Sequence, residues 1–128
     1  MAACLITGGI HADERGTLRF CNGFDMTAVK RFYTVSNSAG MPKRGWIMHQ
    51  RETKWFFPLS GVTKVKIRGE GEGWKDCSSF VLSAEAPAVL HLPPGNWFCI
   101  EQDGTAEVQV FSDCRVGEFE NDDFRRPL

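Results

Sequence analysis

Arg44-Gly45-Trp46-Ile47-Met48-His49-Gln50, followed by Lys54 and closed by Gly61, is the stretch on which the reading of this chain turns. Trp46 to Gln50 reads as a β-strand, and strand side chains alternate between the two faces. Ile47 and His49 therefore share a face. An isoleucine pointing into an apolar core takes the histidine inward with it. Such a histidine is either a proton-transfer group aimed into a cavity or a core histidine bonded to a backbone carbonyl.

Outward from this strand the same rhythm continues. Turn signals recur about every eight to twelve residues, and the segments between them alternate apolar and polar positions rather than repeating at helical period. The plainest case is Val62 to Arg68, where Val65 and Ile67 alternate with Lys64, Lys66 and Arg68. That pattern predicts one buried and one solvated face, ending in a turn over Gly69-Glu70-Gly71-Glu72-Gly73. Further strands are expected at 18–20, 28–35, 55–59, 79–82, 88–92, 98–100 and 106–111, with strong breaks at Asn37–Pro42 and Pro93–Gly95. Only the tail after Ser112 has room for a helical turn. Eight or more short antiparallel strands in this length predict an all-β fold, a double-sheet jelly roll whose mouth holds a small ligand.

The bulk numbers narrow the function classes. A length of 128 residues suits a single domain, residues 1–128. Hydrophobic residues make up 42% and charged residues 24%, which excludes collagen-like and disordered classes. A formal charge of −1 argues against nucleic-acid binding through a bulk basic surface. Met1 to Gly9 has neither a positive leader region nor an apolar run long enough to span a bilayer, so a cytoplasmic protein without a membrane partner is expected. The five cysteines are irregularly spaced with no C-x-x-C pair, as for reduced thiols in a reducing compartment.

Polar residues that share strand parity with buried ones are the candidates for chemistry. His49 is the first. Tyr33 is the second, the only tyrosine beside ten phenylalanines and four tryptophans, so its hydroxyl rather than its ring is the point of interest. Arg31 lies two residues before Tyr33 and shares its face, where it can meet an anionic ligand. His11, in an expected N-terminal loop, and His91, in a strand, read as structural or exposed. A zinc or iron site needs three or four convergent ligands, which the chain does not offer, so neither metal nor other cofactor is expected.

Several motifs then line up in order. Asp13-Glu14-Arg15-Gly16-Thr17-Leu18 resembles an opening Asp-x-Arg-Gly-x-Leu. Phe24, followed by Lys30-Arg31-Phe32-Tyr33, is similar to a strand in Lys-Arg-Val-Tyr. Arg44 to Gln50 resembles Arg-Gly-x-His-Ala-His-Lys. Leu92 to Trp97, Phe111-Ser112-Asp113 and Asp122-Asp123-Phe124-Arg125 resemble closing motifs. Together they resemble the metal-independent sugar-nucleotide cupins, the dTDP-4-keto-6-deoxyhexose 3,4-ketoisomerases, with the dTDP-4-dehydrorhamnose 3,5-epimerases as more distant relatives.

The resemblance implies an RmlC-like barrel, a homodimer, and a nucleotide-diphosphate sugar, dTDP-linked, as ligand in deoxysugar or surface-polysaccharide biosynthesis. It implies His49 as the general base, Tyr33 as a proton shuttle or sugar contact, and Arg44 as support for the site or the diphosphate; beside these, Arg31, Arg44 and Lys54 are candidates for charge stabilisation or phosphate contact, and Trp97 for substrate binding. Metal-binding cupins carry two histidines, a glutamate and a later histidine at the positions of Ile47, His49, Lys54 and Phe98 here. One ligand of four is kept. Ile47 also stands where the 3,5-epimerases have their histidine, which disfavours that chemistry. Two readings remain open: an isomerase working through an enediol, or a degenerate barrel that binds a nucleotide sugar without transforming it, with Trp46, Trp55 and Trp97 as stacking platforms.

Overall fold

The computed structural model describes residues 2–69 and 77–128, which form strands and turns only. The turn expected over Gly69–Gly73 lies, from Glu70 onward, outside the described residues. In chain order the strands are β1 (Cys4–Thr7), β2 (Gly9–Asp13), β3 (Gly16–Phe20), β4 (Arg31–Val35), β5 (Lys43–Met48), β6 (Lys54–Ser60), β7 (Val62–Gly69), β8 (Ser78–Ser83), β9 (Ala88–Leu92), β10 (Asn96–Gln102), β11 (Glu107–Ser112) and β12 (Phe124–Arg125). They make two five-stranded antiparallel sheets, ordered β1-β9-β6-β11-β4 and β12-β5-β10-β7-β8, and a separate ribbon of β2 and β3. This is the expected all-β jelly roll.

Alternation explains why these segments pair as they do. In β6, Phe56 points inward and meets Leu90 of β9 and Val110 of β11 at the same level of the sheet. In the facing sheet Ile67 of β7 is level with Phe98 of β10, and Val65 with Ile100. These side chains, with Val35, Leu82, Leu92 and Val108, form one continuous core between the sheets. Fully burying each large aliphatic or aromatic member contributes about 1.5–3 kcal/mol.

Three local expectations are corrected. Arg68 was expected on the solvated face of β7, yet it is 5% exposed, beside Trp97 at the covered end of the strand pair. Residues 28–30 are not strand: Val29 N–H closes a turn on the Met26 carbonyl, and β4 begins only at Arg31. His11 lies in β2 rather than in a loop.

Strand β5 carries a bulge against β10. Ile47 pairs with Phe98 and Gly45 with Cys99, so Trp46 is one residue more than β10 can match. Its own N–H and carbonyl are taken up by Arg126 just after β12. The extra residue reverses the alternation on its N-terminal side. Arg44 thereby lines the same cavity as Ile47 and His49, which unbroken alternation would forbid.

Candidate functional site

Between the sheets, at the end bearing β12 and the 113–123 segment, a cavity of about 370 Å³ opens. Its inner wall is apolar, made by Val35, Ile47, Phe98 and Ile100. Its polar lining comes from both sheets, from Glu52 in the turn after β5, and from Arg115, Asp122, Asp123 and Arg125 near the C-terminus. Strand register places Arg31 of β4, Ser112 of β11 and Lys54 of β6 side by side in one row across the sheet, with Tyr33 one inward position along. From the opposite sheet come Arg44 and His49.

His49 sits just past the end of β5, in a segment held at several points. Gly95 N–H donates to its carbonyl at 2.7 Å from the Pro-Pro-Gly turn. The Asp122 carboxylate accepts the N–H groups of Gln50, Arg51 and Glu52 at 2.8, 3.0 and 3.1 Å. Asp113 accepts from Thr53 N–H at 2.9 Å. The ring is fixed as firmly as the backbone. Nδ1 lies 2.8 Å from the Asp122 carbonyl oxygen, which can only accept, so Nδ1 carries the hydrogen. In the neutral ring Nε2 then holds the lone pair.

That Nε2 atom is buried and has no hydrogen-bond partner among the described residues. A purely structural core histidine would leave an unsatisfied polar atom costing about 1–3 kcal/mol. On a residue that lines a cavity, an unpartnered nitrogen with its lone pair free is chemically able to accept a proton from a bound molecule. Asp123 and Glu52 carboxylate oxygens lie 3.5 and 3.9 Å from Nδ1, where they would favour a protonated ring.

Across the cavity the Lys54 ammonium donates to the Tyr33 phenol oxygen at 2.5 Å. A lysine has only donors, so the phenol's own hydrogen is left to point elsewhere. Arg31 lies over the Tyr33 ring and donates through Nε to the Cys114 carbonyl at 2.8 Å. Arg44 is steadied by one bond from Nε to Asn37 Oδ1 at 3.2 Å. Asn37 is itself locked by Gln102, whose amide reaches Thr63 and the Val35 carbonyl.

The sugar 3,4-ketoisomerase QdtA of Thermoanaerobacterium thermosaccharolyticum, in complex with TDP, superposes with a TM-score of 0.74 at 21% identity, over 97% of this chain and 88% of its own. The dTDP sugar isomerase of Desulfovibrio desulfuricans gives 0.80 at 16% identity, over 98% and 83%. The rmlC epimerase of Mycobacterium tuberculosis gives 0.75 at 21%, over 96% and 68%. The fold is that of the RmlC-like cupins. No protein-family profile matches the chain, and neither does any curated protein sequence.

In this RmlC-like barrel five of the six expected site residues, Arg31, Tyr33, Arg44, His49 and Lys54, line one cavity. Trp97 is the correction. Phe98 faces the cavity, so its neighbour Trp97 faces the other way, 6% exposed beneath the Arg126 guanidinium. Trp46 and Trp55 do not line the cavity either, and Trp55 stacks on His91 at 5.5 Å on the outer face of its sheet. Burial there pushes the His91 imidazole below its ordinary value. Lys54 also differs from a free phosphate contact. It is 6% exposed and lies 3.2 Å from Glu52.

Glu52 is the residue sequence reasoning missed, along with the roles of Asp122 and Ser112. It sits in the turn between β5 and β6, where alternation gives no signal. The available clue was a carboxylate three residues from the candidate base and two from a lysine expected to contact the ligand. Among the described residues no group of three His, Cys, Asp or Glu side chains is placed to hold a metal ion.

Asp122 makes the pH response of this arrangement calculable in sign. Burial by itself would raise its carboxyl, but the three backbone N–H donors outweigh that and hold it below the usual 3.8. A depressed folded value stabilises the protein above the unfolded one, and the benefit is lost as pH falls through the folded one. Asp122→Asn should therefore cost about 2 kcal/mol at neutral pH, the difference from the parent shrinking between about pH 5 and pH 2. Urea unfolding across that range measures it; a constant difference would mean that Asp122 is not the group responsible.

Proposed function

We propose that this protein is an isomerase of a nucleotide-linked 4-keto-6-deoxy sugar, moving the carbonyl from C4 to C3 through an enediol. The observation that carries this reading is the unpartnered Nε2 of His49, its tautomer fixed by the Asp122 carbonyl, on a residue that lines the same cavity as Tyr33. Structural neighbours described as 3,4-ketoisomerases, one of them in complex with TDP, support the substrate class.

The steps balance without a cofactor. His49 Nε2 takes the proton from C3, and the electron pair moves into the C4 carbonyl, whose oxygen takes the Tyr33 hydroxyl proton. The resulting enediol gives its O3 proton back to Tyr33 as C4 accepts the proton held on His49. The product is the 3-keto sugar, with both side chains restored. The apolar wall of Ile47 and Phe98 keeps water from the enediol, and Arg44 and Arg115 at the mouth suit a diphosphate, which planar guanidinium groups grip well. Incubation with dTDP-4-keto-6-deoxyglucose, followed by proton NMR of the sugar ring, is the direct test. Loss of the C3 proton with appearance of one on C4 is expected; binding with an unchanged ring spectrum would sink the reading and leave a sugar-nucleotide binder.

The working unit in this reading is a homodimer in a reducing compartment such as the cytoplasm, where the five free cysteines stay unpaired. The β2–β3 ribbon joins neither sheet, and a two-stranded ribbon is marginal by itself. It presents Ile10 and Leu18, the latter 57% exposed, and edge strand β4 presents Phe32 at 70%. A second copy covering these residues removes both the open edge and the apolar surface. Sedimentation should give twice 14.4 kDa, and Leu18→Glu should give the monomer. A monomeric parent at micromolar concentration would rule this assembly out.

A further inference from the structure

Resting on the isomerase reading, we propose that Glu52 is a positioning residue that sets the direction of the Tyr33 hydroxyl and the charge balance around it. The carboxylate is 7% exposed and joins both halves of the site. Its Oε2 atom accepts from Ser112 Oγ at 2.7 Å and lies 3.2 Å from Lys54 Nζ and 3.7 Å from the Arg31 guanidinium. Its Oε1 atom lies 3.9 Å from His49 Nδ1. Strand register brings Arg31, Ser112 and Lys54 into one row, and Glu52 reaches into that row from the turn outside it.

The consequence follows from donor and acceptor counting. Two cationic side chains flank the Tyr33 ring, Lys54 and Arg31, each about 5.1 Å from its centroid. Without a counter-charge they would repel each other in a nearly dry site, and the buried ammonium would lack compensation. Glu52 anchors Lys54 from one side, which presents the ammonium to the phenol oxygen on the other. With that oxygen occupied as acceptor, the phenol hydrogen is the one free to be given to substrate. Ser112 fixes the carboxylate's orientation, and its hydroxyl also accepts the Cys114 N–H at 3.0 Å, tying the anchor to the 113–123 wall.

Because Tyr33 is the only tyrosine of the chain, a ¹³Cζ-tyrosine label gives one resonance that reports this hydrogen bond directly. Glu52→Gln should move that resonance by more than its linewidth. It should lower kcat about tenfold or more with KM within about twofold, since the lost interaction acts on proton transfer rather than on binding. Glu52→Asp, which keeps the charge, should shift the resonance less and recover part of kcat. A folded Glu52→Gln protein with the resonance and kcat of the parent would overturn the proposal, as would a fall in stability with no change in either. If Glu52→Gln does not fold, Glu52→Asp carries the test, and an unmoved resonance there is equally fatal. If the parent turns over no keto sugar nucleotide, the isomerase reading fails while the resonance still decides the role of Glu52: moved, it supports positioning of Tyr33; unmoved, it overturns it.

Discussion

On the isomerase reading, glutamine in place of His49 should leave a folded protein whose turnover of the keto sugar falls by about a thousandfold or more. The substitution is chosen for what it keeps. A glutamine amide can still donate to the Asp122 carbonyl that now receives Nδ1–H at 2.8 Å, so the turn from Gln50 to Thr53 retains its anchor. What it removes is the lone pair of Nε2, the buried atom without a partner. An amide nitrogen is not a base, and in the proposed reaction Tyr33 gives up its proton only as C3 loses its own. Thermal unfolding close to the parent's, together with NMR of the sugar ring, separates loss of chemistry from loss of fold. Turnover within tenfold of the parent would remove His49 from the mechanism and return it to the role of a core histidine.

The central strands were legible because each has one face in the core. In β7 a buried residue recurs at every second position from Thr63 to Ile67 and residue type follows that period from Lys64 on, while β6 and β9 are short, mainly apolar runs bounded by turn signals, which also mark buried strands. The strands that escaped notice lack that condition. β1 and β2 are largely exposed on both faces, so alternation has nothing to act on, and β12 is two residues long. Arg68 misled for a related reason: alternation predicts which face a side chain takes, not how much neighbouring chain covers it.

The candidate site was legible in its side chains and not in its wiring. Arg31, Tyr33 and Lys54 lie on strands whose parity is intact, and His49 keeps the parity of Ile47, so their convergence follows from pairing. Trp97 failed because its motif marks a turn while its parity, opposite to that of Phe98, sends it outward. Glu52 and Asp122 lie outside strands, and nothing local distinguishes a buried turn carboxylate from a solvated one. Arg44 reached the cavity only through the extra residue at Trp46, a feature of pairing that appears once β10 is laid beside β5.

At that bulge, alanine in place of Gly45 should destabilise the protein by about 3 kcal/mol or more. Gly45 has a φ of +122°, a conformation that L side chains rarely adopt. An added Cβ would lie 2.5 Å from the Phe98 carbonyl oxygen and 3.0 Å from the Cys99 Cα. Both are backbone atoms of β10, which is paired on its other side with β7, so neither can swing away as a side-chain tip would. Relief requires β5 to part from β10 at the point where the bulge sets the direction of Arg44. Gly95 provides the control. Its φ of +85° also disfavours a side chain, but a Cβ there meets nothing within 4 Å, so Gly95→Ala should cost only the conformational strain, about 1–2 kcal/mol. Thermal melts of the two variants should therefore differ, Gly45→Ala falling by roughly 10 °C or more and Gly95→Ala by about half as much. Equal losses would mean that conformation alone governs both sites and that β5 has room to yield. A larger loss at Gly45, accompanied by weaker binding of a nucleoside diphosphate, would place the cost at the β5–β10 contact and in the aim of Arg44.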